Sequence, residues 1–204
     1  MPNTTNPPIV PAAPPRLSST QLKQRMAAFN IDREKYPLII VGIRGYYKKS
    51  MGLPSANDRG IYDDALFIDT PNSTTAFNGN TDPSRYRLGQ GRGKAKGAGK
   101  GMASLQPGLW LAHAFGRHKG QYLALVQSQN SVMVLRDGNP PYLDTGYFGI
   151  NIHRGSYTST SSLGCQTIHP QQWPAFIALA KAEAIRLYGA QWATQTVPYL
   201  LLEA

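Results

Sequence analysis

The chain has 204 residues, 41% of them hydrophobic, which suffices for one domain of ordinary size with a real core plus a tail. Its single cysteine excludes an internal disulfide framework, so packing must hold the fold, and the redox compartment stays open. Lys and Arg outnumber Asp and Glu by 21 to 11, a net charge of +10 that favours polyanions such as nucleic acid, anionic lipid or bacterial wall polymer, while the lack of a long apolar run excludes a transmembrane helix.

Residues 1–17 hold six of the sixteen prolines and almost no charge, which predicts an extended tail outside the core, followed by a single domain over 18–204. The N-terminus has neither the basic start nor the apolar stretch that general secretion reads. A protein made in the cytoplasm with an extracytoplasmic substrate would then need a pore formed by a second protein, or an injection machine. From Ser18 or Ser19, an N-cap precedes Leu22, Met26, Ala27 and Phe29 at helical spacing, and the helix should end near Asn30. "YPLIIVGI" then reads as a buried strand.

Residues 44 to 106 are dominated by Gly, Asn, Asp and Ser and predict long loops. Asp63, Asp64 and Asp69 read as loop and strand-edge residues, and Asp82, before a proline, marks a turn. The run "RYRLGQGRGKAKGAGKG" carries Arg85, Arg87, Arg92, Lys94, Lys96 and Lys100 without an acid. It lacks the glycine and hydroxyl positions of a phosphate-binding P-loop. A solvated loop is its plain reading, and a loop in which Arg92 and Lys100 grip an anionic substrate is the functional one.

Further strands are expected at "GLWLAHAF" (108–115), "YLALVQ" (122–127), "VMVLRD" (132–137), "YFGINIH" (147–153) and "TVPYLLL" (196–202). One helix interrupts them, with Phe176, Ile177, Leu179, Ala180, Ala184 and Leu187 on its apolar face and Gly189 as its stop. The fold class expected is mainly β with flanking helices, one before the sheet and one after the cysteine loop. His113 and His118 read as structural residues or as a second wall of a cleft.

The chemistry concentrates in "NIHRGSYTSTSSLGCQTIHP". Alternation along 147–153 puts Gly149, Asn151 and His153 on one face and Phe148, Ile150 and Ile152 on the other, so His153 and Asn151 point away from the core. Eleven residues with six Ser/Thr follow, then Cys165. That loop can fold back to bring the thiol to the imidazole. A turn at Gly164 would expose the sulfur and leave the Gly164 and Cys165 N–H groups for an oxyanion, with His153 and Arg154 favouring the thiolate. Two other readings stand beside this one: an inert buried cysteine, and a zinc site of Cys165, His153 and His169.

"GINIHRG" followed by "SSLGCQTI" resembles the catalytic signature of the L,D-transpeptidase family, over about residues 100 to 170. The resemblance implies Cys165 as nucleophile, His153 as general base, and Ser162 and Gly164 as shaping residues. It also implies a backbone carbonyl of Arg154 or Gly155 that orients the imidazole, and no cofactor. The chain departs from the family in its shorter His-to-Cys loop, in Leu163 where a His or Lys is usual, and in Thr167 where an Arg is usual, with Arg154 as the replacement cation.

The expected function is a peptidoglycan-degrading cysteine peptidase acting on stem peptides, of a phage endolysin or injected-toxin kind. Asn151, His113, Lys100 and Arg92 are its candidate substrate-binding residues, and an anionic wall surface is a second contact; no stable nucleic-acid partner is expected. The alternatives are an L,D-transpeptidase that forms or exchanges cross-links, and a non-catalytic wall- or nucleic-acid-binding module with a structural cysteine.

Overall fold

The architecture comes from a computed structural model, which describes residues 9–53, 55–89 and 99–204. Its first strand, β1 (Ile39–Arg44), explains its own apolar run, because both of its faces are buried. Ile40 shares a core with Leu66 and Leu201, whereas Ile39, Val41 and Ile43 pack with Leu22 and Met26 of helix α1 (Ser19–Met26). A capping box starts that helix: the Gln21 N–H donates to Ser18 Oγ, and the Ser18 N–H donates to Gln21 Oε1. A short 3-10 turn continues it, and Asn30 stops it with a left-handed φ of 47°.

Among the described residues, ten more strands follow: β2 (Asp64–Asp69), β3 (Thr74–Asn80), β4 (Ala103–Leu105), β5 (Gly108–His118), β6 (Tyr122–Gln127), β7 (Val132–Arg136), β8 (Tyr142–Gly146), β9 (Ile152–Arg154), β10 (Gln166–Ile168) and β11 (Val197–Glu203). Eight strands close a barrel in the order β1-β11-β5-β6-β9-β10-β3-β2, and β4-β7-β8 form a separate three-stranded sheet. Closure leaves those eight without an unpaired edge. Helix α2 (Trp173–Tyr188) adds Phe176, Ala180 and Ala184 to the main core, and the small sheet adds Leu105, Val132 and Val134. The protein is thus mainly β with flanking helices, as the sequence predicts.

Three expectations change. Residues 44 to 106 are not all loop, because β2, β3 and β4 lie within them. β3 hides from a reading of composition because its polar groups are spent internally: the Asn78 N–H donates to Gln172 Oε1 at 2.7 Å, and Asn80 Nδ2 to Asp82 O at 2.6 Å. Over 147–153 only the last residues are strand, since Gly149 adopts φ +71° and breaks the alternation. Finally, residues 9–17 of the expected tail lie against the barrel. The Tyr62 N–H donates to Ile9 O at 2.7 Å, Tyr47 Oη donates to Ala13 O at 2.8 Å, and Pro15 is buried. Among the described residues, no helix is long and apolar enough to cross a membrane.

Candidate functional site

Two short parallel strands place the central residues. β9 and β10 pair with Ile152 level with Gln166 and His153 level with Thr167. Ile152 is fully buried in the core and Gln166 accepts a 2.8 Å hydrogen bond from the buried Tyr199 Oη, so these two point inward. The period-2 pleat then sends His153 and Thr167 outward, with Asn151 and Cys165 two residues before them on the same face. The face expected for His153 and Asn151 is therefore retained although the strand is shorter.

The loop before the cysteine is built by Ser162. Its Oγ donates to Cys165 O at 2.7 Å and accepts the Gly164 N–H at 3.0 Å, while its own N–H donates to Ser84 Oγ. Gly164 sits at φ +145°, where a Cβ would meet Ala103 O at 2.5 Å, so only glycine fits. This corrects one expectation: the Gly164 N–H is consumed by Ser162 and cannot serve an oxyanion. The Cys165 N–H has no backbone or side-chain partner among the described residues. Gly155 has a scaffolding position, because its N–H donates to Ile168 O at 2.9 Å and Tyr62 Oη fills the space of a side chain there.

Hydrogen bonds assign the tautomers of two stacked imidazoles. His153 and His118 lie face to face with ring centroids 4.0 Å apart. His153 Nδ1 is 2.7 Å from Arg154 O, which can only accept, so Nδ1 carries the proton and Nε2 keeps its lone pair. Asn151 Oδ1 accepts the Gln127 N–H at 2.8 Å, which orients its amide so that Nδ2 donates to His118 Nδ1 at 3.1 Å. His118 therefore carries its proton on Nε2. One ring is equipped as a base and the other as a donor.

Electrostatics keep this group neutral at rest. Burial, with the neighbouring His118, pushes the pKa of His153 down to about 3, against the opposing hydrogen bond to Arg154 O. Burial pushes the Cys165 thiol up, opposed by the Asn151 N–H, 3.5 Å from Sγ, and by the Lys119 charge. The thiol donates to Gly149 O at 3.2 Å. The expected support from Arg154 is absent, because its guanidinium lies over the Tyr122 ring, 5.2 Å from the centroid. Lys119 is the cation that acts on the thiol. It sits at the tip of the three-residue β5–β6 loop (119–121), where Lys119 and Gly120 both take a positive φ and the Gln121 N–H donates to His118 O at 2.9 Å.

A cleft of about 230 Å³ opens over the sulfur, lined by Cys165, Asn151, His118, Lys119, Phe148 and Arg136 among others. A wider groove of about 550 Å³ adjoins it through Lys119 and Leu163 and includes Ser84, Arg85 and Arg87. Of the candidate substrate-binding residues, Asn151 lines the cleft. His113 does not: it is fully buried, its Nε2–H donates to Ile150 O at 2.8 Å, and its ring is edge-on to Tyr199. Lys100 is bound to Asp144 at 2.8 Å, and Arg92 lies outside the described residues.

His169, third ligand of the zinc alternative, packs edge-on against Tyr62 and Tyr157, and no group of three or more metal-ligating side chains occurs among the described residues. His118 takes the second-wall place that the sequence offers it as the alternative to a structural role, whereas Lys119 and Arg136 line the cleft without having been expected there. The "HKG" hairpin turn after a long strand is the signal that brings the first two to the strand end. Arg136 gives no such signal, since it ends an ordinary strand of the second sheet. Compared with protein-family models, curated proteins and solved structures, the chain matches none.

Proposed function

We propose that the protein is a cysteine enzyme that cleaves peptide bonds in peptidoglycan stem peptides through an acyl-enzyme on Cys165. The observation that carries this reading is the His153 tautomer: its Nδ1–H is tied to the Arg154 carbonyl, which leaves Nε2 unprotonated on the outward face it shares with Cys165. That is the arrangement a general base needs, and the resemblance of "GINIHRG…SSLGCQTI" to L,D-transpeptidases supplies the substrate class.

In this mechanism His153 Nε2 takes the thiol proton as Sγ bonds to the substrate carbonyl carbon. The Cys165 N–H faces the developing oxyanion. The proton passes from His153 to the departing amine as the C–N bond breaks, leaving a thioester. Water then attacks with His153 again as base, and Cys165 is regenerated with release of a carboxylic acid. An amine in place of water would give transpeptidation, so the acyl acceptor decides between the two outcomes.

The resting pair is a neutral thiol and a neutral imidazole, so proton transfer is coupled to attack and no preformed thiolate is required. Purified sacculi incubated with the wild type and with Cys165→Ala test the reading by mass spectrometry of the muropeptides. Shortened or uncoupled stem peptides with the wild type and an unchanged profile with the folded variant are expected. Equal products from both proteins would eliminate it in favour of a binding module with a structural cysteine.

A further inference from the structure

The cleft beside Cys165 holds a buried cation with unspent hydrogen-bonding capacity. Arg136 is 1% exposed. Its Nε donates to Asp144 Oδ2 at 3.1 Å, its Nη1 donates to Gly101 O at 3.2 Å, and the guanidinium lies over the Phe148 ring, 4.4 Å from its centroid. Nη2 is buried and has no acceptor among the described residues. A guanidinium fixed at three points in this way presents its remaining N–H groups in one rigid direction.

Charge at the site is unbalanced. Lys100 Nζ shares the same Asp144 oxygen at 2.8 Å, so two cations meet one carboxylate. Lys119 adds a third positive group to the lining. Leaving a buried guanidinium N–H unpaired is costly, and a bound anion would relieve it. Cleft size and lining argue for a small planar anion next to an apolar surface, since Phe148 and Ile150 stand beside Arg136.

We propose that the cleft recognises its acyl substrate through a free carboxylate, received by Arg136 with Lys119 as the second positive group. The location of this carboxylate on a stem peptide rests on the function proposed above; the anion preference of the cleft does not. Arg136 comes from the second sheet, so the cation that positions substrate is supplied from outside the β9–β10 segment bearing Cys165 and His153.

The single cysteine allows a test that uses no peptidoglycan. Alkylation of Cys165 by iodoacetate, which carries a carboxylate, is compared with alkylation by neutral iodoacetamide, each relative to a free cysteine peptide. The iodoacetate-to-iodoacetamide ratio should exceed that of the free peptide by about tenfold or more, the size of a charge-assisted hydrogen bond. It should fall most of the way to the peptide's ratio in Arg136→Met, where only Lys119 remains to attract the carboxylate, and fall less in Arg136→Lys. On the unaltered protein, N-acetyl-D-alanine should protect Cys165 from iodoacetamide and its C-terminal amide should not.

A wild-type ratio equal to that of the free peptide, or equal protection by acid and amide, overturns the inference whether or not the variants fold. The two proposals fail separately. Sacculus turnover that survives Cys165→Ala removes the enzyme reading but leaves the carboxylate preference, while equal alkylation ratios with Cys165-dependent turnover remove only the carboxylate subsite.

Discussion

Two polar clusters are buried in this protein, and their difference separates scaffold from site. Asp63, Asp64 and Asp82 are each at most 4% exposed. Asp64 accepts the Gly45 and Thr81 N–H groups, Asp82 meets Arg44 and Asn57, and Asp63 accepts the Asp58 N–H. Nearly every valence there is spent on tying loops to the barrel. Around Cys165 the groups are also buried, yet the Cys165 N–H and Arg136 Nη2 remain uncommitted beside a cleft, and His153, stacked on the His118 ring that lines it, has no partner for Nε2 among the described residues. Polar burial alone is therefore a poor marker of function; burial with unspent valences beside open space is a better one.

The largest effect expected from breaking this contrast is at His153. Replacing it with Asn removes the base, and sacculus turnover should fall by roughly 10²- to 10⁴-fold without loss of the fold. A drop within twofold would mean that His153 belongs with the scaffold. Gly164→Ala should come next: the Ala103 carbonyl and the φ of +145° oppose the added methyl, and the loop should shift. A stability loss of about 1–3 kcal/mol in urea unfolding is expected, together with reduced turnover.

The protonation states sharpen the contrast further. Because the thiol is raised and the imidazole lowered, iodoacetamide alkylation of Cys165 should climb with pH up to and beyond the ordinary thiol range. A rate already constant between pH 5 and 8 would instead mean a thiolate–imidazolium pair at rest.

The smallest effect is in the scaffold. Burial, with the opposing Asp58 N–H and the neighbouring Asp82, raises Asp63 from 3.8 to about 7. A carboxyl whose folded pKa is raised contributes stability that is complete below about pH 4 and lost as pH rises through about 7. Asp63→Asn should therefore unfold later than the wild type above pH 7, by about 1 kcal/mol, with the gap closing toward pH 4. Thermal melts across that range would show it, and activity at a fixed pH should not change.

How much of this was legible in the sequence depended on whether a residue's role was local. The apolar runs of β1, β5, β6 and β11 and the face of α2 carry their own pattern, because burial and period are recorded in neighbouring residues. The Cys165, Ser162, Gly164 and His153 cluster was legible for the same reason, being one continuous segment. β2 and β3 were not, because their Asp, Asn and Thr residues are satisfied by partners far along the chain, such as Gln172 with Asn78. Arg136 was hidden by distance in sequence, since only the docking of the second sheet brings it to the thiol, and His118 was legible only as one of two roles, structural residue or cleft wall, between which barrel closure decides. His113 misled in the opposite sense, since alternation along β5 turns it into the core.

The central claim is that Cys165 forms a covalent acyl intermediate, and intact-protein mass spectrometry of the enzyme mixed with a purified stem peptide and quenched in acid tests it most directly. The account predicts an added mass equal to the acyl portion of the peptide, mapped to Cys165, removed by hydroxylamine and absent from Cys165→Ala. Turnover of the peptide by both proteins, with no adduct on either, would contradict it.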